Sequence, residues 1–234
     1  MNVYLNEITG VADGLVSMYM SKRTWTPKLE MDIRNDYIEW LASSNTSACG
    51  RTEMRLDQFC KYAWKHTTML DFITISVTVE GLHRAGQDDW DAHACRYNNR
   101  IVRSSTRLAD FREYEMSDFY KGKIIPTEMA LELLCISLPS KIEAFGAIYE
   151  QVEGGYIRSD LKDDRDVKRG LYRLCVPSNF IFKCNMAQWA HVYRMRNANS
   201  TANPEVKEVA EKIQDAIQER MPWFDRDFLQ RVMI

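Results

Sequence analysis

Arg103, Arg173 and Arg196 are three separate candidates in this 234-residue sequence for holding a small anionic ligand. A guanidinium presents a planar fork of donors that meets phosphate oxygens two at a time. For Arg173 a surface ion pair is an equal alternative. A second kind of chemistry gathers around Cys95, with Asp88 and Asp91 shortly before it. A thiol supplies a nucleophile and a carboxylate supplies a base. A buried thiol and exposed helix carboxylates explain the same residues without catalysis. His66 and His191 add two imidazoles, and His66 could also simply pack beside the strand that follows it.

These residues need elements to position them. Ile73 to Val79 alternates apolar and small polar residues strictly, the pattern of a strand with one buried face, and Gly81 is expected to end it. Leu82 to about His93 reads as a helix that carries Asp88 and Asp91. Asn185 to Arg196 reads as another. At about 100° per residue, Asn185 and Arg196 lie nearly above one another, on the side shared by Trp189, with His191 off that line. Val3 to Leu5 is a short strand candidate. Val11 to Met20 and Met31 to Leu41 have helical spacing, the second with Ile33, Tyr37, Ile38 and Leu41 on one face. Thr127 caps a helix through Leu134, and another is expected from about Lys141 to Val152, stopped by Gly154-Gly155. Asp160 to Arg169 reads as a solvated helix start. Pro204 opens the last strong helix, with Val206, Val209, Ile213, Ala216 and Ile217 as its apolar stripe, ending before Pro222. The mixture, richer in helix than in strand, predicts an α+β fold.

Bulk composition narrows the choices. Hydrophobic residues make up 45% and charged residues 27%, with a net charge of −2, as in ordinary soluble domains. No basic excess points to a nucleic-acid polymer as partner. No apolar run approaches the roughly 20 residues of a membrane helix, and the N-terminus lacks a basic start with an apolar stretch, so neither membrane nor secretion is expected. The six cysteines, at 49, 60, 95, 135, 175 and 184, form no C-x-x-C pair. Reduced, mostly buried thiols are expected, with no metal site and no disulfide framework. A Gly-rich strand-to-helix turn of the dinucleotide-binding or P-loop kind is absent.

Four segments, in order, resemble the flavin-dependent thymidylate synthases, the ThyX family. Trp64-Lys65-His66-Thr67-Thr68-Met69-Leu70-Asp71-Phe72 is similar to the family's G-H-x-S-x-x-E-H and also leads into a strand. Asp91 to Arg103 falls on the signature R-H-R-x-x-S-x-N-E-x-S-x-R, with matches at Asn98 and Arg103. Tyr149-Glu150 followed by Arg173-Leu174-Cys175-Val176-Pro177 resembles Y-x-x-L … A-R-x-x-L-P. Asn185 to Arg196 resembles N-x-R-x-x-x-H/N-F-x-x-x-R, matching at the asparagine, the histidine and the last arginine, and Ala202, Glu205 and Val206 echo A-Q-x-E-I.

The resemblance implies a single domain over residues 1–234, with a central, mostly antiparallel sheet and flanking helices. It implies a cytoplasmic homotetramer that moves a methylene group from methylenetetrahydrofolate to C5 of dUMP. Reduced FAD then supplies hydride, drawn from NADPH. By the same resemblance His66, Thr68, Asn185 and His191 contact flavin. Arg103 takes the nucleotide phosphate, or Arg107 in a shifted register, with Asn98 beside it. Arg173 and Arg196 meet the base. The sequence also departs from the pattern. The R-H-R triplet is missing, Ala187 replaces an arginine, and Asp88, Asp89 and Asp91 stand where carboxylates would repel a flavin pyrophosphate. Two alternatives follow. In a flavin-free dUMP or dCMP hydroxymethylase, water traps the methylene adduct, with Cys95 attacking C6 and Asp88 or Asp91 as base. In the other, the chain binds a nucleotide and catalyses nothing.

Overall fold

The computed structural model describes residues 1–42, 47–94, 100–104, 139–152, 155–163, 177–197 and 203–232. Strand β1 (Asn2–Thr9) leads into helices α1 (Val11–Ser21), α2 (Pro27–Ala42) and α3 (Ser47–Ala63). A 3-10 helix (Thr67–Phe72) precedes β2 (Thr74–His83), which passes directly into α4 (Arg84–Ala94), and β3 (Arg100–Arg103) follows. Strands β4 (Lys141–Ala144), β5 (Ala147–Val152) and β6 (Gly155–Arg158) come next, with a 3-10 turn at Ser159–Leu161. The described chain closes with β7 (Pro177–Asn185), α5 (Met186–Asn197), α6 (Pro204–Arg220) and α7 (Arg226–Arg231).

The main sheet has the order β1-β2-β7-β3, with every neighbouring pair antiparallel. Its two central strands explain its inner face. Ile75 stands opposite Cys184, Val77 opposite Phe182 and Val79 opposite Phe180, and all six are buried. The strict alternation predicted for β2 is therefore matched residue for residue by β7. The opposite face is polar: Asn6 donates to Thr78 at 3.0 Å, and Lys183 pairs with Glu7 at 3.0 Å. Helices cover the apolar face. Trp90 of α4 enters the core beside Phe180, Phe182 and Trp189, with ring centroids 5.9, 5.6 and 6.3 Å away. The buried Trp189 indole donates to Gln214 at 2.9 Å, so its polar edge is satisfied. Strands β4, β5 and β6 form a separate antiparallel meander.

Four expectations change. Lys141 to Val152 is not a helix but the β4–β5 hairpin, turning at Phe145-Gly146. Both turn residues have positive φ, 51° and 73°, which a helix does not allow and a tight hairpin turn requires. Ile142, Ala144, Ala147 and Tyr149 alternate with period two, and Lys141 pairs across the strands with Glu150 at 3.0 Å. Gly81 does not end β2. It sits in left-handed backbone, φ 81°, where the register slips between Val79 and Leu82, and the strand continues to His83. Within α2, Ile38 and Leu41 face solvent while Ile33, Asp36 and Tyr37 are buried, because the helix packs on the flank where Asp36 meets Arg51 and Arg55. At Asp160 only the short 3-10 turn Ser159–Leu161 is seen. The helix expected from Thr127, and the stretch from 164 to 169, lie outside the described residues.

Candidate functional site

Helix α4 gathers the arginines. Trp90, fully buried, pins this helix against the sheet and leaves Asp88 and Asp89 on its flank. Arg103 ends β3, which is fixed by pairing with Phe180 of β7. Its Nη1 donates to Asp88 Oδ1 at 2.6 Å, and Arg84 Nε stands 3.8 Å from the same oxygen, one helical turn away. Arg196, in the last turn of α5, is only 3% exposed. Its Nη1 donates to Asp89 Oδ2 at 2.9 Å, and Nη2 donates to the Asp89 main-chain carbonyl. Arg196 Nε is buried and has no hydrogen-bond partner among the described residues. A buried guanidinium requires a counter-charge, and Asp89 supplies it. Two arginines from different elements thus converge on consecutive aspartates.

Close to Asp89, His83 and Glu205 lie against one another with both side chains buried. His83 is the last residue of β2, and Glu205 lies in the first turn of α6, where a carboxylate meets the positive end of the helix dipole. Burial pushes the His83 imidazole below its ordinary value, and the charge of Asp89 pulls the other way. Neither the His83–Glu205 pair nor the gripping of arginines by Asp88 and Asp89 was read from the sequence. The available signal was three carboxylates on a helix that also had to bury a tryptophan.

The other candidates meet where the 3-10 helix packs against the start of α5. Asn185 caps α5: its Oδ1 accepts from Gln188 N at 2.8 Å, while Asn185 N donates back to Gln188 Oε1 at 3.0 Å. This reciprocal pair is a capping box. The Asn185 amide also donates to Asp71 Oδ1 at 2.9 Å, and Met186 N donates to Ile73 O at 2.8 Å, latching the helix start to the segment before β2. Burial pushes the Asp71 carboxyl above its ordinary value, with the Asn185 hydrogen bond opposing. His66 and Thr68 are both exposed on the neighbouring turn, and the His66 ring lies 4.4 Å from the ring of Tyr62. His191 is half-buried further along α5. Asn185 thus joins α5 to the 3-10 helix that carries Thr68 and follows His66, while Arg103 and Arg196 meet neighbouring positions of α4.

Cys95, Asn98, Arg107 and Arg173, and the side chain of Asp91, lie outside the described residues. Cys60 and Cys184 are free thiols. Among the described residues no group of three or more His, Cys, Asp or Glu side chains could hold a metal ion. No helix there is long and apolar enough to cross a membrane.

The family model described as thymidylate synthase complementing protein matches residues 18–223. No curated protein sequence matches the chain. Among solved structures, the flavin-dependent thymidylate synthase ThyX from Helicobacter pylori complexed with FAD and dUMP superposes with a TM-score of 0.58. It has 13% identity, covering 97% of this chain and 99% of the other. A second structure of the Helicobacter pylori protein with FAD and dUMP gives 0.61 at 12% identity, covering 98% of this chain and all of the other. At such identities the likeness is one of fold, and it agrees with the mixed helix and antiparallel sheet described above.

Proposed function

The chain belongs to the thymidylate synthase complementing protein family, and from that premise we propose that it is a one-carbon transferase acting on C5 of a pyrimidine deoxynucleotide monophosphate. The reaction in this reading converts dUMP to dTMP with methylenetetrahydrofolate as carbon donor, and NADPH is the source of electrons. The observation that carries the reading is the convergence of Arg103 and Arg196, from β3 and α5, on neighbouring positions of α4. Arg103 is the more accessible of the two and takes the phosphate. In this reading Arg196, buried against Asp89, and Arg173 serve the base, as the family resemblance implies. Such a site works by positioning and by fixed charge rather than by covalent attack.

FAD suits the junction at the start of α5. An exposed imidazole, an exposed hydroxyl and a capped amide at His66, Thr68 and Asn185 present the donors and acceptors that a polar heterocycle needs. When bound and reduced, the flavin supplies hydride. Asn185 is fixed by Gln188 and Asp71, so its amide would offer a bound flavin a contact that does not rotate freely. The assembly in this reading is a homotetramer, the state in which the family completes its site.

The test is a visible absorption spectrum of the purified protein, followed by a dUMP turnover assay with methylenetetrahydrofolate and NADPH. Retained flavin and formation of dTMP are expected. A colourless protein that yields no dTMP after flavin is added overturns the proposal.

A further inference from the structure

We propose that Asp88 is a specificity-determining residue: a resident counter-ion that occupies Arg103 until a phosphate dianion displaces it. The proposal rests on the reading of Arg103 as the phosphate site and adds what stands there first. Asp88 Oδ1 accepts from Arg103 Nη1 at 2.6 Å and lies 3.8 Å from Arg84 Nε. The pair is open to solvent, with side-chain exposures of 52% for Asp88 and 25% for Arg103. The protein contains a contrasting case. Asp36 is also bracketed by two arginines, Arg51 and Arg55, but there the carboxylate and Arg55 are both buried, and the cluster fastens α2 to α3. The Asp88 cluster has the same chemistry with its carboxylate half exposed.

Charge decides the exchange. A carboxylate offers one negative charge, whereas a phosphate monoester carries close to two near neutral pH and three strong acceptor oxygens. A monophosphate can therefore outcompete Asp88 for the guanidinium fork, and an uncharged nucleoside cannot. Displaced Asp88 is not stranded, because Arg84 sits one turn back on the same helix and the carboxylate can swing toward it. Until ligand arrives, Asp88 keeps the Arg103 guanidinium pointed at α4. Ion pairs this exposed are weak, so the barrier to exchange is modest and reversible.

The experiment compares binding of dUMP and of deoxyuridine to the wild type, Asp88→Asn, Arg103→Ala and the double variant, by titration calorimetry. Removing the resident charge should tighten dUMP binding roughly two- to five-fold and leave deoxyuridine unchanged. The gain should vanish when Arg103 is also replaced. If Arg103→Ala weakens dUMP while Asp88→Asn leaves it unchanged or weaker, the phosphate site stands and the resident counter-ion is rejected. If Arg103→Ala leaves dUMP binding intact, the phosphate reading itself fails and takes this proposal with it. Asp88→Ser is the second variant, with circular dichroism confirming that each protein folds. A tightening shared equally by dUMP and deoxyuridine would mark a structural effect and also overturn the proposal.

Discussion

Arg103 and Arg196 carry the same side chain into opposite circumstances. Arg196 is locked by Asp89 through both a carboxylate and a main-chain carbonyl, with almost no exposure. Arg103 pairs with Asp88, whose carboxylate is half exposed. The first is built to stay and the second to exchange. Arg103→Ala should accordingly weaken dUMP binding by about 1.5–3 kcal/mol, the usual worth of a charge-assisted contact, and calorimetry would read this directly. Asp36 makes a prediction about acid. Hydrogen bonds from Arg51 hold its carboxyl below the ordinary carboxylate value, burial pushes back, and Arg55 adds to the pull. A lowered folded-state value means that the stabilisation is present above the unfolded value, about 4, and is lost as pH falls through the folded one. Asp36→Asn should therefore be less stable than the wild type at neutral pH, with the gap narrowing below about pH 4. Urea unfolding at stepped pH would show it, and a gap that stays constant into acid would contradict the assignment.

Among the elements, α5 depends on its N-cap, the last residue of β7. Asn185 closes a capping box with Gln188 and ties to Asp71. Replacing it by alanine should cost about 1 kcal/mol of stability, seen as a lower Tm. Loss of flavin from a variant that still folds would separate a binding role from the cap. The β4–β5 hairpin offers the opposite experiment. Phe145 adopts φ 51° at the tip and is almost wholly exposed, so it suffers the steric cost of left-handed backbone and contributes little packing in return. Phe145→Asn, a residue that such turns favour, should stabilise the hairpin by about 1 kcal/mol, measured as resistance to chemical denaturation. These two elements also show what a sequence discloses. The apolar stripe of α6 was plain, because Val206, Val209, Ile213 and Ile217 face one large core and all are buried. The hairpin was not, because apolar residues in a short run satisfy either period, and the turn needed φ values that Phe145 seldom adopts. In α2 the pattern was helical but wider than the face it buries, so Ile38 and Leu41 were placed inside when they lie outside.

Across the molecule, the candidate site was legible as a set of residue types and not as an arrangement. Arg103 and Arg196 are separated by more than ninety positions, and they meet because β3 pairs with β7, which runs into α5. No local pattern reports a pairing of that range. Asp88 and Asp89, which the sequence places where a flavin pyrophosphate would be repelled, are each paired with an arginine. His83 and Glu205 were invisible for the same reason, being partners only once β2 and α6 have packed. The close matching of acid to base on α4 has a kinetic consequence. Among the described residues Arg103 and Arg196 are each paired with an aspartate, Asp88 and Asp89, so these two arginines present an approaching dianion with little unbalanced field beyond the Debye length, about 8 Å at physiological ionic strength. Electrostatic steering, which makes capture by an uncompensated basic cleft fall steeply as salt rises, should be weak here. Stopped-flow association of dUMP should be nearly flat between low and physiological salt, with ionic strength felt mainly in how quickly the nucleotide departs.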